Sequence, residues 1–230
     1  MPNIVKNTTT PGILDLIAPH SCRGCGHIGN VICERCKKNI LASHHNFCPS
    51  CKTPNTNGIC QKCQTKSPLP TFVFSERSDL LSGLIYDYKY NSVRALARPL
   101  AEFIDYSLPH YDEKIYLVPL PTISRHIRSR GLDHTYAIAK QLAKLHQNYY
   151  VSKLLLRNNS SVQVGANAKD RLSQAKTAYS LNPKTPIEKD ATYLLIDDVW
   201  TTGASMKSAA KLLQESGVKS INLAILAVSV

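Results

Sequence analysis

Two adjacent carboxylates, Asp197 and Asp198, stand where an apolar run meets a hydroxyl-rich segment. The run before them, residues 193–196, predicts a buried strand, and apolar residues at i, i+3, i+4 and i+7 beyond them predict a helix. Those helical positions are Met206, Ala209, Ala210 and Leu213, so the helix begins within the segment Thr201, Thr202, Gly203, Ala204 and Ser205. Free backbone N–H groups, hydroxyls and the positive end of a helix dipole favour binding of a phosphate dianion there.

The carboxylates restrict what that phosphate is attached to. A phosphate site usually excludes negative charge, whereas a sugar needs acceptors for its hydroxyl groups. Asp197 and Asp198 would accept those hydrogen bonds, so the pattern predicts a site for a ribose 5-phosphate. As candidate catalytic residues they would also stabilise the positive charge of an oxocarbenium-like ribose. The alternative is an ordinary strand-to-helix turn in which the carboxylates cap the helix.

The segment from Tyr193 to Ser205 resembles the phosphoribosyl-pyrophosphate (PRPP) motif of type I phosphoribosyltransferases. That motif is an apolar strand, Asp-Asp, two residues, and then Thr-Thr-Gly-Ala-Ser or Thr. The resemblance implies that Thr201 to Ser205 bind the 5-phosphate of PRPP. Mg²⁺ would be held mainly by the pyrophosphate and ribose oxygens, because magnesium often takes few protein ligands. Trp200, the only tryptophan, is predicted to report on ligand binding by its emission.

All eight cysteines lie near the N-terminus and form four Cys-x-x-Cys pairs. In a reducing compartment such pairs favour metal coordination over disulfides. The shorter gaps between pairs favour two sequential four-thiolate sites, although a cross-braced arrangement is also compatible with the spacing. The predicted ligands are Cys22, Cys25, Cys33 and Cys36 for one site, and Cys48, Cys51, Cys60 and Cys63 for the other.

Zinc is the preferred metal of these cysteines, over a rubredoxin-like iron site or a redox disulfide module. The segment has few large apolar residues, so metal binding would replace the missing core. Four thiolates leave no open coordination position, which predicts a structural zinc ribbon or binding platform without a catalytic role.

Charge and hydropathy restrict the classes of partner and location. The chain has 230 residues and a formal net charge of +12, which favours polyanionic partners, including single-stranded DNA. No apolar run approaches the roughly 18 to 20 residues that span a bilayer, and the N-terminal apolar patch is a poor secretion signal. We therefore expect a cytoplasmic protein.

Alternating strand and helix patterns after a polar, proline-punctuated linker predict an α/β fold with a mostly parallel sheet flanked by helices. The expected domains are a double zinc ribbon over residues 1–66 and a phosphoribosyltransferase-like domain over residues 71–230. The expected strands are an edge strand at 71–75, then 115–118, 153–156, 192–196 and 221–228. Ligands of such sheets bind at the carboxyl ends of the strands.

Two polar insertions are predicted to belong to the same site. Residues 119–134 follow a strand end and include Arg128 and Arg130, which would bind the departing pyrophosphate. Residues 157–189 have little apolar periodicity and are predicted to form a mobile hood over the site. Arginine clusters on loops are also often solvated surface.

Nearly the whole chain resembles the ComF family, also represented by ComFC and GntX-like proteins, in which a cysteine-knuckle zinc domain precedes a type I phosphoribosyltransferase domain. The matching segments are Leu117 to Pro121, Arg130 to His134, and Arg157, Gln163 and Arg171 to Gln174 in the hood. Leu132, Asp133, His134 and Gln174 depart from the family pattern.

The resemblance implies a role in natural DNA transformation, assisting the uptake or handling of single-stranded DNA. It also implies partners among DNA-uptake proteins, such as a helicase or an inner-membrane channel. Two alternatives stay open: a phosphoribosyltransferase of nucleotide salvage with an unassigned acceptor, and a PRPP-sensing regulator without turnover.

Overall fold

The computed structural model of the chain describes residues 20–55, 57–63, 69–158 and 178–229, without the side chains of Arg125 and His126. The predicted hood residues Gln163, Arg171 and Gln174 lie outside the described residues. Within the described ranges, a five-stranded parallel sheet forms the centre of the molecule. This confirms the predicted α/β fold with its mostly parallel sheet and flanking helices.

The described elements follow one another in this order: β1 His20–Ser21, β2 Ile28–Gly29, α1 Glu34–Ala42, β3 Thr71–Glu76, α2 Asp79–Tyr90, a 3-10 turn Arg94–Leu96, α3 Ala97–Ser107, β4 Ile115–Pro119, α4 Ser124–Arg130, α5 His134–Ala143, β5 Tyr149–Val151, β6 Leu155–Arg157, β7 Tyr179–Leu181, β8 Thr192–Trp200, α6 Ala204–Glu215 and β9 Ser220–Val228. The strand order in the central sheet is β3-β9-β8-β4-β5, so β8 lies in the middle. The remaining strands form two small antiparallel pairs, β1 with β2 and β6 with β7.

Helices cover both faces of the sheet, which explains why its central strands are almost continuously apolar. On one face, Leu194 and Ile196 of β8 pack in the same cluster as Leu84 of α2 and Phe103 of α3. On the other face, Leu195 packs in a second cluster with Met206, Ala209 and Leu213 of α6. Alternate residues of β8 therefore enter different cores, as the pleat of a strand requires.

Three sequence expectations about local structure are wrong. Residues 153–156 are not a strand of the central sheet, whose edge is β5; Leu155 and Leu156 belong to the separate β6–β7 pair. The polar insertion after β4 contains a helix, α4. The acidic pair is not in a turn, because β8 continues through Asp197 and Asp198 to Trp200 while paired with β9.

The cysteine-rich segment packs directly against the central domain. Cys22, Val31, Cys36 and Ile40 are buried in the same cluster as α2 and α3. Ion pairs join the two parts at their border: Lys37 to Glu102 at 2.5 Å, Arg23 to Asp87 at 3.1 Å and Lys52 to Glu76 at 3.2 Å. The first cysteine group thus shares the core of the larger domain, which compensates for the few large apolar residues of its own.

Candidate functional site

The acidic pair projects beyond the end of a neighbouring strand. Pairing of β8 with β4 ends at Ile196, opposite Pro119, whereas its pairing with β9 continues to Trp200. Asp197 and Asp198 therefore lie at the carboxyl edge of the sheet with one flank open. This is where parallel α/β sheets bind their ligands.

Lys89 of α2 contacts this pair, although the sequence analysis did not assign it to the site. Its Nζ lies 2.7 Å from Oδ2 of Asp198, and Asp198 is only 8% exposed. The neighbouring Tyr88 is buried and its hydroxyl donates to the backbone oxygen of His134 at 2.9 Å. The burial of Tyr88 places Lys89 over the acids, and the alternating Tyr-Lys-Tyr run was the available sequence signal.

Asp197 has an unusual proton affinity. Burial, followed by the adjacent negative charge of Asp198, raises the pKa of Asp197 to about 7. The backbone N–H of Asp198 donates to Oδ1 of Asp197 at 2.9 Å, and the charges of Lys89 and Arg157 also favour ionisation, but they offset only part of the effect. One carboxylate of the pair therefore titrates near neutral pH.

The hydroxyl-rich loop joins β8 to the N-terminus of α6. Thr201, Thr202 and Ser205 are exposed, and the N–H of Ala204 donates to the Thr202 hydroxyl at 3.3 Å. Gly203 is the N-cap and contributes no side-chain cap, so the positive end of the helix dipole faces the loop without a carboxylate on it. The loop has the features that bind a phosphate dianion.

Gly203 is required by its surroundings. Its φ of 71° lies in the left-handed region, and a Cβ built on it would come within 2.5 Å of Cε2 of Trp200 and closer to Cζ2 and Cη2. Trp200 is 3% exposed and packs beneath the loop. The indole supports the loop from the core side, so its emission should respond to ligand less directly than the sequence suggested.

A second cation comes from the small β6–β7 pair. Arg157 Nη1 donates to the hydroxyl of Tyr179 at 2.8 Å. Burial raises the pKa of Tyr179, while Arg157 and the Ser205 hydroxyl oppose that rise. The charge of Arg157 also lowers the pKa of Asp197, so this side chain adds positive charge near the acidic pair.

The two arginines predicted to bind pyrophosphate are placed differently. Arg128 is exposed on α4, and the guanidinium carbon of Arg130 lies 4.6 Å from the ring centroid of Tyr90. Burial lowers the pKa of His134. The charge of Arg130 lowers this pKa further, and the charge of Asp198 raises it. Arg130 is thus near the acidic side of the site, while no described contact joins Arg128 to the acids.

Asp133, one of the departures from the family pattern, has a structural role. Its carboxylate is the N-cap of α5 and accepts from the N–H of Tyr136 at 3.4 Å. The Thr122 hydroxyl also donates to it at 3.0 Å. The carboxylate therefore fixes the chain that follows β4.

The cysteines form two sequential groups, as predicted: Cys22, Cys25, Cys33 and Cys36, and then Cys48, Cys51, Cys60 and Cys63. In each group the four Sγ atoms lie within 4.8 Å of one another. The Cys25–Cys33 and Cys51–Cys60 sulfur distances are 3.6 and 3.5 Å. A tetrahedral ion with zinc–sulfur bonds of about 2.3 Å places its sulfurs about 3.8 Å apart. Both groups could therefore hold zinc.

Backbone donors favour the thiolate form of Cys22 in the first group. Burial opposes ionisation of Cys22, but N–H groups of Cys33 and Gly24 at 3.3 and 3.4 Å lower its pKa to about 6. A thiolate is the form that binds metal.

Comparison with known proteins identifies one matching domain and several relatives. The model of the phosphoribosyl transferase domain matches residues 127–228. Competence protein F of Haemophilus influenzae is 27% identical over 214 residues, which cover 88% of this chain and 93% of that protein. Competence protein ComFC of Streptococcus pneumoniae is 23% identical, and the match covers 83% of this chain and 84% of that protein. The DNA utilization protein YhgH of Escherichia coli K12 is 25% identical, and the match covers 94% of this chain and 96% of that protein.

The chain is a homologue of proteins named Competence protein F, ComFC and YhgH. It carries two cysteine groups that could hold metal, and residues 127–228 match a phosphoribosyl transferase domain. Among solved structures, adenine phosphoribosyl transferase from Trypanosoma brucei is 13% identical with a TM-score of 0.35. The match covers 84% of this chain and 78% of that one. Hypoxanthine phosphoribosyltransferase from Staphylococcus aureus is 14% identical with a TM-score of 0.31, and the match covers 60% of this chain and 64% of that one. Scores this low support no conclusion about the site.

No helix in the described part of the chain combines the length and apolar character needed to cross a bilayer.

Proposed function

We propose that the chain is a cytoplasmic protein that binds PRPP with Mg²⁺ and assists the handling of single-stranded DNA in natural transformation. One observation carries the PRPP site: an acidic pair at the open carboxyl edge of the sheet leads directly into a helix N-terminus that has no side-chain cap. The DNA role is supported by the net charge of +12 and by relatives named for competence and DNA utilization.

In this proposal the chain's own residues divide the ligand between them. Thr201 to Ser205 bind the 5-phosphate, and the carboxylates of Asp197 and Asp198 accept hydrogen bonds from the ribose hydroxyls. Arg130 and Arg128 face the pyrophosphate, and Arg157 adds positive charge near Asp197. Mg²⁺ bound with PRPP would be held largely by the ligand's own oxygens and would neutralise pyrophosphate charge.

Lys89 fits the same site as a positioning residue. A nearly buried Asp198 needs a partner charge, and the 2.7 Å contact supplies it. Lys89 keeps this carboxylate oriented before PRPP arrives and places a further positive charge where pyrophosphate oxygens collect. The combination of the Lys89 ammonium group with the carboxylate of Asp198 suits an anionic ligand with sugar hydroxyls better than a simple phosphate.

We propose zinc for both cysteine groups, in a module assigned to residues 1–66, with the phosphoribosyltransferase-like domain over 71–230. Complete thiolate coordination gives this module a structural role. Its ion pairs with α2, α3 and β3 hold it against the domain that carries the PRPP site.

Calorimetry with Mg²⁺ and PRPP at pH 8 tests the site. Wild type should bind, and Asp197→Asn should weaken binding about tenfold or more, because a hydrogen bond to a charged group contributes about 1.5–3 kcal/mol. Asp190→Asn is the matched control, since Asp190 is exposed and pairs with Lys219 at 2.7 Å near the opposite end of β8. Absence of binding heat for wild type would refute the PRPP site.

A second measurement separates the proposed role from nucleotide salvage. Pyrophosphate release in a screen of bases and amines would assign the site to a salvage enzyme. A deletion strain in which transformation falls while DNA still enters the periplasm would support the competence role, and normal transformation would contradict it.

A further inference from the structure

Helix α2 presents two tyrosines to solvent on the face opposite its core contacts. The helix buries Leu81, Leu84, Ile85 and Tyr88, whereas Tyr86 and Tyr90 are 56% and 57% exposed. They are four residues apart, and their ring centroids lie 4.9 Å from each other with a tilt of 39°. Two large aromatic rings thus form one continuous exposed surface, which is an arrangement typical of an interaction site.

Positive charge surrounds this surface. The Arg130 guanidinium covers one side of the Tyr90 ring at 4.6 Å, and Arg94 is exposed and reaches the backbone oxygen of Gly131 at 3.5 Å. Arg128 is also exposed on the same short helix as Arg130. The nearest acid on α2, Asp87, is already paired with Arg23 at 3.1 Å. The surface therefore suits an anionic partner that also has flat apolar faces.

We propose that Tyr86 and Tyr90 form a stacking platform for unpaired bases of single-stranded DNA, with the exposed Arg94 contacting its phosphates. Bases stack on exposed aromatic rings with little sequence preference, and a basic surface follows the backbone. A duplex hides its base faces, so it could use the charge of the surface but not the rings. This inference rests on the proposed DNA role and assigns it to a specific face.

The platform borders the acidic pair. Lys89 lies between the two tyrosines in sequence and contacts Asp198 on the inner side of the same helix. A strand bound across Tyr86 and Tyr90 would therefore lie beside the carboxyl edge of the sheet.

Fluorescence anisotropy with a labelled 20-residue oligo-dT tests the platform. Tyr86→Ala/Tyr90→Ala should raise the Kd about tenfold or more, because stacking on an aromatic side chain is a major part of single-strand affinity. Tyr86→Phe/Tyr90→Phe should stay within about twofold, since the rings remain. Tyr150→Ala is the matched control: Tyr150 is 48% exposed and lies 5.2 Å from Lys114 Nζ, but on strand β5.

The salt dependence separates stacking from charge. Tyrosine is neutral, so the slope of log K against log salt should be the same for wild type and the double alanine variant, while the affinity differs at every salt concentration. Far-UV circular dichroism and Trp200 emission of the variant should match wild type, which shows that it is folded.

Several outcomes would overturn the proposal. Equal affinity of wild type and a folded double alanine variant would refute the platform and leave the DNA role intact. Equal binding of duplex DNA, or tighter binding of oligo-rU, would refute single-stranded DNA as its occupant. If wild type binds no single-stranded DNA even at low salt, the proposed DNA role fails together with the platform, whereas the PRPP site is judged separately by calorimetry.

Discussion

Replacing Gly203 by alanine tests the local geometry of the phosphate loop. The residue has a φ of 71°, a conformation that costs a residue with a Cβ about 1–2 kcal/mol. The new methyl group would also overlap the ring of Trp200, which is 3% exposed and enclosed by the core. Overpacking of a core typically costs about 1–3 kcal/mol. The two effects together predict a loss of about 2–5 kcal/mol in the free energy of unfolding.

Urea unfolding followed by emission of Trp200, the only tryptophan, measures this loss directly. In a domain of this size it should lower Tm by about 4–20 °C, because each kcal/mol shifts Tm by about 2–4 °C. Gly83→Ala is the control. Gly83 is exposed within α2, and a Cβ there meets nothing within 4 Å. This change should stabilise the protein by about 0.5–1 kcal/mol.

A double-mutant cycle separates the two causes. Trp200→Phe removes the outer ring atoms that the new Cβ would overlap, so Gly203→Ala in that background should cost only the backbone component of about 1–2 kcal/mol. Circular dichroism replaces tryptophan emission in these variants. Equal costs in both backgrounds would refute the overlap with Trp200, and no cost in either would refute the left-handed geometry of the loop.

Two further predictions concern the metal groups and the acidic pair. Freshly purified reduced protein should contain two zinc ions. Cys36→Ser should lower both the zinc content and the Tm of the whole chain, because Cys36 lies in the main core. Cys60→Ser should lower the zinc content with a smaller change in Tm, because Cys60 clusters with other cysteines. Metal analysis with calorimetry checks this, and equal Tm shifts would contradict it. Because the pKa of Asp197 is raised to about 7 in the folded state, the protonated form stabilises the fold below about pH 4, and this stability is lost as pH rises to about 7. Asp197→Asn should flatten this pH dependence of the urea midpoint, and an unchanged profile would show that Asp197 titrates normally.

Sequence determined the parts of this protein that are contiguous or regularly spaced. The order of strand, acidic pair and loop from Thr201 to Ser205 could be read from the apolar run and the following helical periodicity, although pairing with β9 decided how far the strand extends. The cysteine spacing likewise predicted the two sequential groups, because short gaps let each group close locally. The α/β class followed from the alternation of strand and helix patterns.

Tertiary structure decided what depends on contacts between distant segments. Lys89 reaches Asp198 from a helix more than a hundred residues earlier, and the tyrosine run alone did not indicate which ring would be buried. The fifth strand of the sheet is β5 and not residues 153–156, because two short apolar segments compete for one edge and only pairing with β4 selects between them. The burial of Trp200 in one core and of Cys36 in the other also depends on distant segments. Each of these contacts joins surfaces that come together only after the chain has closed around its sheet.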